Sequence, residues 1–395
     1  MDYPVSTAMP ASLVALCFGN FMIGTGTLIV PGMLPALAEG LGVTLPVAGQ
    51  LVSAFAFTVC LSAPLLAGAT SRFDRRKLLI AMQLLFVAGH LAAALLSAFA
   101  PMLVARVLTS FGAALFTAQA AATAALLVPA EKRGRAIAFV FLGWSIASVI
   151  GVSAGAYIAA TIGWRWGFAL VAAGALLAAI AVWRYVPAGL TVQPVDRRVW
   201  QAILGNRTML ATLAVTFLQS APQFVLLAYI VPATVAFVTV GPEALALILA
   251  GFGAVGVVGN VLAARFIDRA GAANVVMAAM LSMLAAHLLW PWSAGSLYLY
   301  LAVVVLWGLG CFSANSAQQA RLAALAPQQA SVSVALNTSA LYLGQAVGPV
   351  IGGVMLANIG GVAAYQWLAA VSVPLFVLAI ALSAYLTPRA RLQAA

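Results

Sequence analysis

The sequence predicts an all-α membrane protein, twelve transmembrane helices arranged as two six-helix halves. Three observations carry that prediction. The 395 residues are 65% hydrophobic and 6% charged, with a mean hydropathy of +1.12, where soluble domains carry about a quarter charged residues. Apolar runs of about 20 residues, the length that crosses a bilayer as a helix, recur from end to end. Residues of the first half return in the second at one fixed interval. Short alternating strands, the mark of a membrane barrel, are absent from the sequence.

The spans follow in order. Span 1 (11–37) carries Pro31 and Pro35, which can bend it. Span 2 (47–70) is followed by Arg72, Arg75, Arg76 and Lys77, span 3 (78–98) holds His90, and span 4 (101–128) holds Arg106. Lys132, Arg133 and Arg135 separate span 4 from the glycine-rich span 5 (137–160), and span 6 (167–187) closes the first group. "YVPAGLTVQPVDRRVWQAILGNR", beginning at Tyr185, is the longest polar interruption. It divides the chain into a first bundle (1–187), a linker (188–207) and a second bundle (208–395). Span 7 (208–237) carries Pro222, then come spans 8 (242–267), 9 (275–292, with His287), 10 (296–325), 11 (331–358) and 12 (362–387).

Every lysine and arginine except Arg106 and Arg165 falls on one side of this layout, with Arg184, Arg197, Arg198, Arg207, Arg265, Arg269, Arg321, Arg389 and Arg391 completing the set. Basic residues mark the cytoplasmic side, so both termini are expected there. The net charge of +11 is thus a topological signal, and no nucleic-acid partner is expected. Cys17, Cys60 and Cys311 all sit in apolar runs, with no disulfide framework or metal-ligand spacing. No metal and no cofactor are expected. The first twenty residues lack a basic n-region and a clear cleavage site, so no removable signal peptide is expected.

The repeat interval is 197 residues, which carries His90 onto His287, Gly151 and Gly155 onto Gly348 and Gly352, and Gly163 onto Gly360. It also carries Ser71 onto Asp268, in the loops after spans 2 and 8. Two six-span halves related by an axis along the membrane normal are the signature of alternating-access transport.

The loop "GATSRFDRRKLLI" (68–80) resembles the basic loop motif of the major facilitator superfamily, with Ser71 where an acid is usual and Asp74 where a glycine is usual. Its second-half copy, "ARFIDRAGAAN", keeps Asp268, Arg269 and Gly271. The resemblance implies a charge-paired cytoplasmic gate made of Asp74, Arg75, Arg76, Asp268 and Arg269; otherwise these residues are anchors at the interface. Span 5 resembles the glycine-rich fifth helix of the family's proton-driven exporters, with Ser153 at the proline position; otherwise its glycines serve helix packing alone, with no bearing on the direction of transport. Span 11 has the fuller version, "GQAVGPVIGG". "GTGTLIVPGMLPALAEGLGVTLPVAGQLVSAFAF", "DRRKLL" and "IGWRWGF" are similar to the sugar- and arabinose-efflux branch of drug:proton antiporters, a branch that includes chloramphenicol and nucleoside exporters. The likeness is good over 11–187 and looser beyond. Thr27 stands where that branch commonly carries a first-helix glutamate.

All seven acids (Asp2, Glu39, Asp74, Glu131, Asp196, Glu243 and Asp268) lie at helix ends or in loops. A mid-membrane charge costs at least ~2.5–3.5 kcal/mol and is normally kept for function. A cationic drug therefore finds no buried counter-charge, and the usual acid for proton coupling is missing. The titratable groups left are His90 and His287, which either hydrogen-bond a neighbouring helix or relay protons. Arg106 matches the family's fourth-helix arginine, to which proton transfer or substrate contact is attributed; its alternative is snorkelling to the interface.

By the resemblance, spans 1, 4, 7 and 10 face a central cavity. They offer Asn20, Thr25, Thr27, Thr109, Thr117, Gln119, Gln219, Ser220, Gln223, Ser313, Asn315, Ser316, Gln318 and Gln319. Span 11 adds Asn337, Tyr342 and Gln345, and Trp144, Phe224 and Phe312 can stack on a ring. Amides and hydroxyls beside aromatics suit a neutral sugar-like or amphiphilic drug-like solute. The expectation is a monomeric exporter in a bacterial-type inner membrane, driven by protons, with an uncoupled facilitator as the alternative. A polytopic enzyme or receptor would need a catalytic cluster or an extramembrane domain, and the sequence offers neither.

Overall fold

In the computed structural model, which describes residues 10–70, 72–191, 201 and 203–394, twelve helices are long and apolar enough to span a membrane. Asp2, Ser71, Asp196, Arg197 and Arg198 lie outside the described residues, as do the side chains of Arg389 and Arg391. The first half comprises span 1 (Ala11–Gly40), span 2 (Leu45–Ala69), span 3 (Arg75–Leu95), span 4 (Phe99–Leu126), span 5 (Arg133–Thr161) and span 6 (Trp164–Tyr185). In the second half come span 7 (Arg207–Leu227 and Ile230–Phe237), span 8 (Pro242–Ala270), span 9 (Ala272–Leu289), span 10 (Leu297–Leu325), span 11 (Ala330–Asn358) and span 12 (Gly361–Ala394).

Four elements depart from the sequence layout, each for a local reason. Arg75, Arg76 and Lys77, expected in the loop, form the first turn of span 3 because Asp74 caps it, accepting from the Lys77 N–H at 2.9 Å. Span 7 breaks at Ala228–Tyr229. Pro232 has no N–H to return to the Ala228 carbonyl, and the Tyr229 N–H tightens onto Leu226 O at 2.9 Å. Span 9 ends in a 3-10 turn, Trp290–Ser293, started by Pro291. Asp268 and Arg269, expected beyond span 8, occupy its last turn, and a single residue, Gly271 at φ 81°, joins spans 8 and 9.

Small residues set the helix packing. A methyl carbon on Gly32 of span 1 would lie 2.2 Å from the carbonyl oxygen of Val152, and one on Gly143 of span 5 equally close to that of Cys17. Spans 1 and 5 therefore touch backbone to backbone. Gly348 and Gly352 of span 11 pack in the same way on Phe224 and Val225 of span 7. The glycine motifs of spans 5 and 11 thus hold each half together. Between the halves, Gly253 of span 8 lies on Ser148 and Val149 of span 5, and Pro46 and Gly49 of span 2 lie on Gly353 and Tyr229. The last contact closes the end of the molecule opposite the basic loops.

Candidate functional site

Two polar clusters lie about 10–15 Å from the basic end, at 1.5 Å of helix rise per residue. In the first half, the Asn20 amide donates to Val140 O of span 5 at 3.0 Å, while its oxygen accepts from Thr117 of span 4 at 2.8 Å. Trp144 of span 5 reaches the same Thr117 oxygen at 3.4 Å. In the second half, Thr216 of span 7 donates to Asn337 of span 11 at 2.6 Å, and the Asn337 amide donates to Asn315 of span 10 at 3.0 Å. Each cluster thus ties the first, fourth and fifth helices of its half. The amide sits on the first helix in one half and on the fourth and fifth in the other. Asn20 and Asn337 are fully buried, whereas Thr117, Trp144 and Asn315 are only half-buried, so the clusters have one edge open.

The other candidates divide. Gln219 and Gln223 stack on one face of span 7, the Gln223 amide donating to the Gln219 backbone oxygen at 2.9 Å. The Gln219 side-chain oxygen and the Thr25 hydroxyl are buried with no partner in the structure. Phe224 packs on Gly348. Tyr342 is buried and Gln319 half-buried. Four candidates are held elsewhere. Thr27 bonds back to Ile23 O of its own helix, Thr109 bonds to Ala105 O and faces Gly89 of span 3, and Phe312 lies over Gly256 of span 8. Gln119 accepts from the Arg75 guanidinium, which also donates to Thr70 O at 3.0 Å.

Deeper in the first half lies a charged layer. Arg106 is 1% exposed, which removes the snorkelling reading. Its guanidinium lies 4.4 Å from the Phe55 ring centre and donates to Gly26 O at 3.3 Å. Among the described residues it meets no carboxylate. His90 donates through Nδ1 to Phe86 O of its own helix at 2.9 Å, because a carbonyl can only accept. Its Nε2 points at the Gly26 backbone of span 1, where a methyl carbon would lie 2.6 Å away. His287 repeats the arrangement, with Nδ1 on Met283 O at 2.8 Å and the rings of Trp307 and Phe376 beside it, as Phe86 and Phe168 are beside His90. Each histidine thus turns its Nε2 toward the backbone of the first helix of its half, at Gly26 for His90 and at Pro222 for His287, the neighbours an interhelical bond would use.

At the basic end, Asp74 accepts from the Gly189 N–H, and the Arg75 N–H donates to Leu190 O at 2.8 Å. The loop after span 2 therefore clasps the segment leaving span 6. Burial works against the Asp74 charge, yet the N–H groups of Lys77 and Gly189, with the Lys77 and Arg76 charges, hold its carboxyl below the usual carboxylate range. Arg76 reaches over Trp183 at 6.0 Å. Asp268 and Arg269 are exposed on a shallow groove with Leu262, Arg265 and Phe266. Arg321, counted among the side-marking cations, turns inward to donate to the Ser383 hydroxyl of span 12 at 2.8 Å.

Sequence reasoning missed Tyr229, Gly49, Phe55 and Trp307. For Phe55 a signal existed, since the repeat interval carries it onto Phe252. Tyr229 carried none, because its partner is a backbone oxygen.

Known proteins resemble this chain over most of its length. The profile described as Major Facilitator Superfamily matches residues 16–240 and 223–394. The inner membrane transport protein YdhP of Escherichia coli (strain K12) is 30% identical over 87% of this chain and 88% of its own. A chloramphenicol resistance protein of Streptomyces lividans is 31% identical over 89% and 91%. A sugar efflux transporter, named as probable, of Mannheimia succiniciproducens is 28% identical over 93% of each. Among solved structures, a bacterial homologue of the human lysosomal transporter Spinster, inward-facing and unoccupied, superposes with a TM-score of 0.77 at 18% identity, covering 98% of this chain and 99% of that one.

Proposed function

The chain belongs to the major facilitator superfamily, and we propose that it exports a small neutral sugar-like or amphiphilic drug-like solute in exchange for protons. It is a multi-pass membrane transporter and not an enzyme. The observation that carries the proposal is the pair of polar clusters, Asn20–Thr117–Trp144 and Thr216–Asn337–Asn315, at equal depth in the two halves. Each offers amide and hydroxyl groups beside apolar and aromatic surface, with no carboxylate to favour a cation. Relatives named for sugar efflux and chloramphenicol resistance support the same solute classes.

In this reading residues 1–187 and 208–395 are the two rocking bundles, and 188–207 is their cytoplasmic linker. The basic end faces the cytoplasm, both termini lie there, and the protein sits as a monomer in an inner membrane. Gln219, Gln223, Phe224, Gln319 and Tyr342 extend the solute path. Asp74, Arg75 and Gln119 hold the cytoplasmic gate, and Arg106 with His90 provides the coupling layer.

A second reading, an uncoupled facilitator, is favoured by one observation, Thr27 at the usual acid position. Purified protein in liposomes, given labelled arabinose or chloramphenicol with and without an imposed pH gradient, separates the two. Gradient-driven accumulation of either solute is expected. Gradient-independent equilibration supports the facilitator, and no transport above empty liposomes contradicts both named solutes.

A further inference from the structure

The repeat interval pairs Gly32 with Tyr229 and Val152 with Pro349. These pairs occupy the same crossing, between the first and fifth helices of each half, and are built differently. In the first half Gly32 presents bare backbone to Val152 O, and spans 1 and 5 are in direct backbone contact. Such a contact has no side chain to rearrange, so it moves as a rigid unit. In the second half a tyrosine fills the gap, and its hydroxyl donates to Pro349 O at 2.8 Å.

Both ends of that bond are proline-weakened. Span 7 is broken at Ala228–Tyr229, and Pro349 lies inside span 11, where it supplies no N–H to the turn before it. The fully buried Tyr229 ring also packs on Gly352, and its hydroxyl lies on Gly49 of the other half, where a methyl carbon would approach to 2.4 Å. The hydroxyl is therefore covered by the other half while the end opposite the basic loops is closed.

We propose that the Tyr229 hydroxyl is a staple that holds span 7 to span 11 while this end is closed and yields when it opens, so that the second half, and not the first, deforms. Opening lifts Gly49 away, water reaches the hydroxyl, and the bond to Pro349 O becomes exchangeable. The proposal holds whichever solute is carried and whether or not protons are coupled.

Two spin-label pairs in nanodiscs test it, in a background with Cys17, Cys60 and Cys311 replaced by alanine. Glu39→Cys with Ala160→Cys reports spans 1 and 5, and Val235→Cys with Asn358→Cys reports spans 7 and 11; all four positions are exposed. Gly49→Val is used to prop the end open. A single cysteine at the buried Ala364, labelled by an impermeant maleimide, reports how far it has opened. Ala364→Cys labelling should rise several-fold, the 7–11 distance should shift, and the 1–5 distance should stay. Tyr229→Phe, which keeps the ring and needs no new space, should broaden the 7–11 distribution alone. Gly251→Val, at a glycine with open space around it, should leave all three readouts at parent values. A 1–5 shift equal to the 7–11 shift overturns the proposal, as does a Tyr229→Phe protein indistinguishable from the parent.

Discussion

The two halves carry the same histidine in the same setting, and the layer around it is built oppositely. In the first half the Phe55 face is covered by the Arg106 guanidinium at 4.4 Å. In the second, Phe252, the repeat partner of Phe55, is covered by the Trp307 ring at 4.9 Å. The repeat partner of Arg106 is Val303, fully buried. One half therefore keeps a cation in its core and the other fills the same volume with an indole. A buried charge is costly wherever it sits, and this layer packs without one in the second half, where the buried Arg321 lies elsewhere, on Ser383 of span 12. On the proposed function, Arg106 serves coupling in the first half alone, and His90 differs from His287 through this neighbour rather than through its own geometry.

The largest expected effect breaks the comparison at its centre. Arg106→Gln should reduce gradient-driven transport about a hundredfold, ~2.7 kcal/mol in barrier, while Trp307→Phe should keep most of it; initial rates in proteoliposomes check both. Next come the polar clusters. Asn20→Leu and Asn337→Leu each strand a buried partner, at about 1–3 kcal/mol. Each should raise the solute KM about tenfold, with comparable values for the two halves. A smaller effect separates the histidines. His90→Asn should flatten the pH dependence of efflux and leave solute-for-solute exchange intact. His287→Asn should leave the pH profile unchanged, while both variants lower the melting temperature through lost ring contacts, ~1 kcal/mol.

The smallest effect concerns the gate. Asp74→Ala removes a helix cap of about 1 kcal/mol, to be read from thermal unfolding. The folded protein holds the Asp74 carboxyl below its ordinary value of 3.8. The contribution is therefore complete above that value and is lost as pH falls through the lowered one. Asp74→Ala should match the parent protein only in strong acid.

Much of this molecule was legible in its sequence because hydropathy and basic residues are read one residue at a time. The twelve spans, the two halves and the fixed interval followed from such signals. The paired polar clusters were visible only as residues, since Asn20 and Thr117 meet across helices nearly a hundred positions apart. Thr109 and Phe312 were assigned to the interior from their span alone, and helix rotation sets where they point: one faces Gly89, the other Gly256. The break in span 7 was not foreseen, since Pro31, Pro35 and Pro222 carry the same signal as Pro232 and leave their helices continuous. Nor was the Tyr229 staple, because nothing in a sequence marks a carbonyl acceptor.

One measurement tests most directly the claim that coupling resides in the first half. A pH-sensitive dye in the lumen of proteoliposomes records proton movement when chloramphenicol is added to parent, Arg106→Gln and Trp307→Phe proteins. The account predicts a solute-evoked pH change in the parent and in Trp307→Phe, and none in Arg106→Gln. An undiminished change in Arg106→Gln, or its loss in Trp307→Phe alone, would contradict it.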